Sequence, residues 1–198
     1  MAPERGERTP EHFLLVGATG MLRGAALHLA TRPGGAVSSL ARTPARLRQQ
    51  EEDARSAGGV LSGFAVDYRD SAALREAIQR AQETHGEVSA AICWIHSDAP
   101  EGHRIVAEVL SRQKLRARYF AVLSSAWADP TRPARALQLE GVDLRRVILG
   151  FVIEPGVESS RRSRWLTDEE ISAGVLGALE SDRLETIVGT VEPWSARP

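Results

Sequence analysis

The chain has 198 residues, with 25 Lys and Arg against 26 Asp and Glu, for a formal net charge of −1. That length suits one domain with its own core, and the balanced charge excludes the basic field that phosphate backbones require, so nucleic acid is not an expected partner. The only cysteine, Cys93, excludes an intramolecular disulfide and a Cys-rich zinc site.

Taken in chain order, the first segment, MAPERGERTPEH, is charged where a signal peptide would be apolar, and no apolar run reaches the roughly 20 residues of a membrane span. Residues 1–11 therefore read as a flexible arm, and 12–198 as a single domain of a cytosolic protein without a membrane partner. HFLLVG is a short apolar run ending in glycine, after which Leu22, Ala26, Leu29 and Ala30 recur at helical spacing. AVSSLA then precedes a helix that Pro44 can open, and GVLSGFAVD precedes a helix starting near Asp70 with the face Leu74, Ala77, Ile78 and Ala81. VSAAICWIH leads to a helix carrying Ile105, Val106, Val109 and Leu110, with Cys93 read as an inert buried thiol. ARYFAVLSS, a Pro-interrupted segment and one long run, DLRRVILGFVI, follow. The last helix opens with TDEE, where Thr167 can cap and Glu170 can reach back, and shows Ile171, Val175 and Leu179; LETIVGTV closes the series as a strand.

Strands apolar on both faces and alternating with helices argue for an α/β, Rossmann-type doubly wound parallel sheet of about seven strands. Ligands of such sheets sit beyond the carboxyl ends of the strands. The first strand ends GATGMLRG, a turn whose glycines permit a tight bend and close approach of a pyrophosphate at a helix N-terminus. Its residues Gly17, Thr19, Gly20 and Met21 are the candidate cofactor contacts.

Through LLVGATG, VDYRD, VLSS and RWLTDEEISAGVLGALES, in that chain order, the sequence resembles a short-chain dehydrogenase/reductase over about residues 12 to 192. It also resembles a narrower set of small bacterial proteins sharing WIHS, LGF, RWLT and EPW patterns, a likeness that bears on fold rather than reaction. Where related reductases carry a third glycine, this chain has Arg23, with Gly24 one place later. Arg23 has two readings, a phosphate contact or a solvent-facing side chain.

NAD-dependent enzymes of this fold tend to end the second strand with an acidic residue. Here Arg42 stands in that place, and a guanidinium there suits the 2′-phosphate of NADP, so NADP is expected over NAD. Arg46 has two readings, a second contact to that phosphate or a place on the exposed face of the second helix. By resemblance, Asp67 matches an adenine-contacting aspartate; its other reading is a cap for the following turn.

The resemblance places Ser125 where the family orients substrate, and implies a Tyr-x-x-x-Lys helix about a dozen residues later. The chain lacks it: Tyr68, Tyr119 and Lys114, the only residues of those types, all precede Ser125, and ADPTRPARALQLEGVDL leaves room for at most a short helix. CWIHSDAP lies where the family's backbone runs beside the nicotinamide, which makes Trp94 a candidate cofactor contact and His96 the candidate catalytic acid. Trp127, Trp165 and Trp194 fall at or beyond other strand ends and are candidate substrate-pocket walls. No metal site is expected.

The expected function is an NADP(H)-dependent oxidoreductase of the short-chain type acting on a small carbonyl or imine, with His96 as acid and Ser125 orienting the substrate. The alternative is a non-catalytic dinucleotide-binding sensor or partner-binding module; a Rossmann-type lyase or transferase also remains open. The expected partner is a small-molecule substrate, with room for a homo-oligomer.

Overall fold

The computed structural model describes residues 11–99, 101–133, 136–154 and 162–198. Of the expected arm, residues 1–10 lie outside them. Seven strands form one parallel sheet: β1 (Glu11–Val16), β2 (Gly35–Ala41), β3 (Leu61–Ala65), β4 (Val88–Trp94), β5 (Arg118–Ser124), β6 (Asp143–Leu149) and β9 (Glu185–Val188). Their spatial order is β3-β2-β1-β4-β5-β6-β9, so the winding reverses beside β1, between it and β4. That is the doubly wound architecture the alternation predicted.

Burial explains the apolar strands. Phe13 and Leu15 face one helical layer while Leu14 and Val16 face the other, and Ala90, Ile92, Phe120 and Val122 alternate likewise with Ala91, Cys93, Tyr119 and Ala121. The first layer holds α1 (Arg23–Ala30), α2 (Pro44–Ser56) and α5 (Asp168–Ser181); the second holds α3 (Ser71–His85) and α4 (Glu101–Leu110). Local signals set the helix starts. Pro44 opens α2, Asp70 caps α3 by accepting from the Ala72 and Ala73 N–H groups, and α5 carries the full capping box of Thr167 and Glu170.

The long run DLRRVILGFVI is not one strand. It breaks at Gly150: the Gly150 N–H still donates to Val188, but Phe151 then exchanges two hydrogen bonds with Thr190. Beyond that point β7 (Phe151–Glu154) leaves the sheet and pairs antiparallel with β8 (Arg162–Trp165). Arg164 ties this hairpin to α5 through Glu154 and both carboxylate oxygens of Glu170, and the Arg164 guanidinium holds the Glu170 carboxyl down at about 2. The pair fixes the direction in which Trp165 leaves β8.

The connection from β5 to β6 contains one 3-10 turn, Ser125–Ala128, and no α-helix among the described residues. Leu137 and Leu139 instead pack irregular chain against the second core. This layer therefore has two helices where the first has three.

Two histidines are buried and neutral. Burial lowers His12 to about 4, against the opposing effect of its bond to Gly86. Its Nδ1–H donates to the Gly86 carbonyl and its Nε2 accepts from the Ser38 hydroxyl, both at 2.8 Å. His103 is also lowered to about 4 by burial and shares a 2.8 Å hydrogen bond between Nδ1 and the Tyr119 hydroxyl. In the unfolded chain both titrate near 6.5. Between pH 6.5 and 4 the unfolded state thus binds more protons, so their stabilising contribution is present above 6.5 and is lost as pH falls toward 4. Urea midpoints should fall across that window, and His103→Gln should flatten the fall; a midpoint independent of pH there would contradict the burial.

Candidate active site

The glycine turn is built by close approach. Gly17 has φ +78°, and a Cβ there would lie 2.7 Å from the Trp94 carbonyl oxygen, so only glycine lets the turn rest on the end of β4. A Cβ on Gly20 would meet nothing within 4 Å, which leaves open space in front of the turn beside the N-terminus of α1. Gly24 has a different task. A Cβ there would sit 3.0 Å from Ser172 Oγ, so Gly24 admits α5 against α1, while the Ser172 hydroxyl donates to the Met21 carbonyl at 2.8 Å. The glycine displaced by one place thus serves helix-to-helix packing.

Sequence reasoning missed a residue that holds this turn. Gln50 is fully buried on α2, where its Nε2 donates to the Ala18 carbonyl at 3.0 Å and its Oε1 accepts from the Ser39 hydroxyl at 2.7 Å. The signal was present: Gln50 shares the buried stripe of Leu47 and Ala54, a polar residue where the helix faces the core.

Arg23 is paired with Asp53 of α2 rather than standing free. Arg42 follows β2 exposed, with no partner among the described residues. Arg46 is likewise exposed, on α2. Asp67 Oδ1 accepts from the Arg69 N–H at 3.0 Å, and Arg69 reaches Asp98 after β4 at 2.6 Å. Asp67 therefore braces its turn. Thr19 is half-buried in the glycine turn.

Two cavities lie at the carboxyl ends of the strands. The first, of about 270 Å³, is lined by Met21, Trp94, Ser124, Ser125, Leu149 and Trp165, with Leu166, Asp168 and Arg197 completing it. It is the serine chamber. The second, of about 450 Å³, is lined by His96, Ser97, His103, Trp127 and Leu137, and shares Trp94 and Ser124 with the first. It is the histidine chamber, and it opens on the side where no helix follows β5. His96 is exposed and meets Trp94 edge-on, with ring centroids 5.3 Å apart.

The expected site residues are thus divided by one wall. Ser125 and Trp165 belong to the serine chamber, His96 and Trp127 to the histidine chamber, and Trp94 to both. Trp194 lines a third, separate hollow of about 580 Å³ with Pro130 and Pro193. It joins the serine chamber only through Arg197, whose guanidinium carbon lies 4.9 Å from the Trp165 ring centroid and 5.3 Å from that of Trp194. Arg197 Nε donates to Ser125 Oγ at 3.0 Å. No sequence pattern announced a contact spanning 72 positions.

Neither tyrosine replaces the absent Tyr-x-x-x-Lys. Tyr119 is fully buried, and burial raises its hydroxyl well above the usual range; Tyr68 packs against the second core; Lys114 lies in the turn before β5, at the opposite end of the sheet. Among the described residues, no group of three or more His, Cys, Asp or Glu could hold a metal ion, and no helix is long and apolar enough to cross a membrane.

No family model and no curated protein matches the sequence. Solved structures do match. A short-chain dehydrogenase/reductase from Serratia marcescens superposes with a TM-score of 0.69 at 14% identity, covering 91% of this chain and 98% of that one. The fold is that of the short-chain dehydrogenase/reductases. A member from Mycobacterium marinum gives 0.69 at 16% identity over 93% and 96% of the two chains, and an actinorhodin polyketide ketoreductase solved with NADPH gives 0.68 at 13% over 91% and 96%. At these identities the likeness concerns the fold, and among the described residues this short-chain-type fold has no α-helix between β5 and β6.

Replacing Gln50 by Leu leaves the Ala18 carbonyl and the Ser39 hydroxyl buried without partners, which should cost about 2 to 5 kcal/mol. Gln50→Leu should lower the urea midpoint and weaken NADPH binding by loosening the turn. Unchanged stability together with unchanged binding would contradict the role assigned to Gln50.

Proposed function

We propose that this protein is an NADP(H)-dependent oxidoreductase that interconverts a small carbonyl or imine with its reduced form. The observation that carries the reading is the serine chamber itself, which runs from Met21 of the glycine turn to Ser125 at the end of β5. Gly17 and the open front of Gly20 fit a pyrophosphate approaching the N-terminus of α1, with Thr19 and Met21 beside it. Arg42 is positioned to meet a 2′-phosphate, and Asp67 to border the adenine. Arg23, already committed to Asp53, is left out of the phosphate set. When bound, the cofactor supplies or accepts a hydride.

The chain's own residues do the remaining work. Ser125 offers its hydroxyl proton to the substrate oxygen, because one of its lone pairs already accepts from Arg197. The Arg197 guanidinium stays charged throughout and favours negative charge developing on that oxygen. His96 is the acid of this reading; it lines the neighbouring chamber, across the wall formed by Trp94 and Ser124. Leu149, Trp165 and Leu166 give the chamber apolar walls suited to a small substrate.

NADPH should bind more tightly than NADH, and Arg42→Asp should cost NADPH about 1.5 to 3 kcal/mol, as expected for one charged hydrogen-bonding contact. Fluorescence titration decides this; equal affinities, unchanged in the variant, would remove the assignment. His96→Ala should lower turnover about 100-fold with cofactor affinity unchanged. A fully active His96→Ala would place the proton source elsewhere, and a protein that binds NADPH but oxidises it with no carbonyl or imine would refute the oxidoreductase reading.

A further inference from the structure

Arg197 is exposed, yet tethered at several points before any ligand arrives. Its Nε is held by Ser125, its plane is flanked by Trp165 and Trp194, and its backbone N–H donates to the Trp194 carbonyl at 3.1 Å. Yet its two terminal nitrogens donate to no acceptor among the described residues, and no carboxylate there forms an ion pair with it. Asp129 feels its charge from beyond contact distance. A planar cationic fork oriented by these contacts, with its far edge open, is arranged for bidentate contact with a carboxylate.

Ser125 adds the second half. Its hydroxyl accepts from Arg197 Nε, 3.0 Å away, and its own proton has no acceptor among the described residues. The serine chamber therefore presents two neighbouring donor sets, one neutral and one cationic, against walls that are otherwise mostly apolar. In a 2-oxo acid the carbonyl oxygen and a carboxylate oxygen stand side by side on adjoining carbons, and so meet such a pair together. Asp168 also lines the chamber, and its charge opposes a second acid group. The volume of about 270 Å³ lies at the small end of ligand pockets.

We propose that the serine chamber recognises a small 2-oxo monocarboxylate with an apolar side chain. The carboxylate lies on the terminal nitrogens of Arg197, the carbonyl oxygen accepts from Ser125, and the side chain packs against Leu149 and Trp165. This assignment rests on the reading of the chamber as a carbonyl site, and narrows its substrate class.

The test is binding to the full chain, with and without NADP, followed by the fluorescence of the tryptophans that flank the site. The probes are 2-oxobutyrate and 2,3-pentanedione, which has a similar shape and no charge. 2-Oxobutyrate should bind roughly 10- to 100-fold more tightly, the range of one to two charged hydrogen bonds. Arg197→Gln should abolish that difference, and Arg197→Lys, which keeps the charge but not the fork, should retain part of it. Equal affinity of wild-type protein for the two probes would overturn the proposal, as would discrimination that survives in folded Arg197→Gln. The two readings fail separately. Discrimination that depends on Arg197, in a protein that neither binds nor oxidises NADPH, would uphold the carboxylate site and refute the oxidoreductase. NADPH-dependent reduction of both probes with equal efficiency would do the reverse.

Discussion

Burial of the central strands on both faces dictates where chemistry can occur. Leu14 and Phe13, Ala91 and Ile92, Ala121 and Phe120 point alternately into two separate cores, so β1, β4 and β5 have no wet face along their length. Polar groups gather where the strands end. There Gly17 rests on the Trp94 carbonyl, which brings the glycine turn against the end of β4 and sets Met21 and Trp94 as neighbours around one cavity. Gln50 and Ser172 hold the same turn from α2 and α5 through the Ala18 and Met21 carbonyls. Three elements, β4, α2 and α5, thus position the turn whose open side faces the candidate cofactor.

Among the described residues no α-helix follows β5, and this shapes the other side of the site. Leu137 and Leu139 cover the core that a helix would cover, and the histidine chamber remains beside them. In exchange, the chain's last residues enter the serine chamber, where Arg197 contacts the serine strand. The substitution has chemical consequences. In the proposed reaction the guanidinium, which cannot deliver a proton near neutrality as a tyrosine activated by lysine does, would stabilise charge and recognise the substrate, and proton supply would fall to another group. Ser125 and His96 line different chambers.

Much of the architecture was legible because its signals are local. Leu74, Ala77, Ile78 and Ala81 recur at helical spacing and are all fully buried, and Thr167 with Glu170 makes the capping box that TDEE spells. The glycine turn was legible for the same reason, since Gly17 and Gly20 act within a few residues of β1. What escaped was non-local or hidden in a uniform pattern. The apolar run through Leu149, Gly150 and Phe151 gives no sign that its partner changes from β9 to β8. The rim tryptophans looked equivalent in sequence, yet a wall one side chain thick assigns Trp127 and Trp165 to different chambers. Arg197 resembled any arginine in a polar tail, because its role depends on a fold that brings the tail back to Ser125.

The central claim is that redox chemistry takes place in the chamber bounded by Met21, Ser125 and Arg197. A crystal structure of the full chain with NADP tests it most directly. The account predicts the pyrophosphate in front of Gly20, the 2′-phosphate at Arg42, and the nicotinamide ring within van der Waals contact of Met21 and Trp94 on the Ser125 side. A nicotinamide ring seated in the histidine chamber against Trp127, or a dinucleotide bound away from the glycine turn, would contradict it.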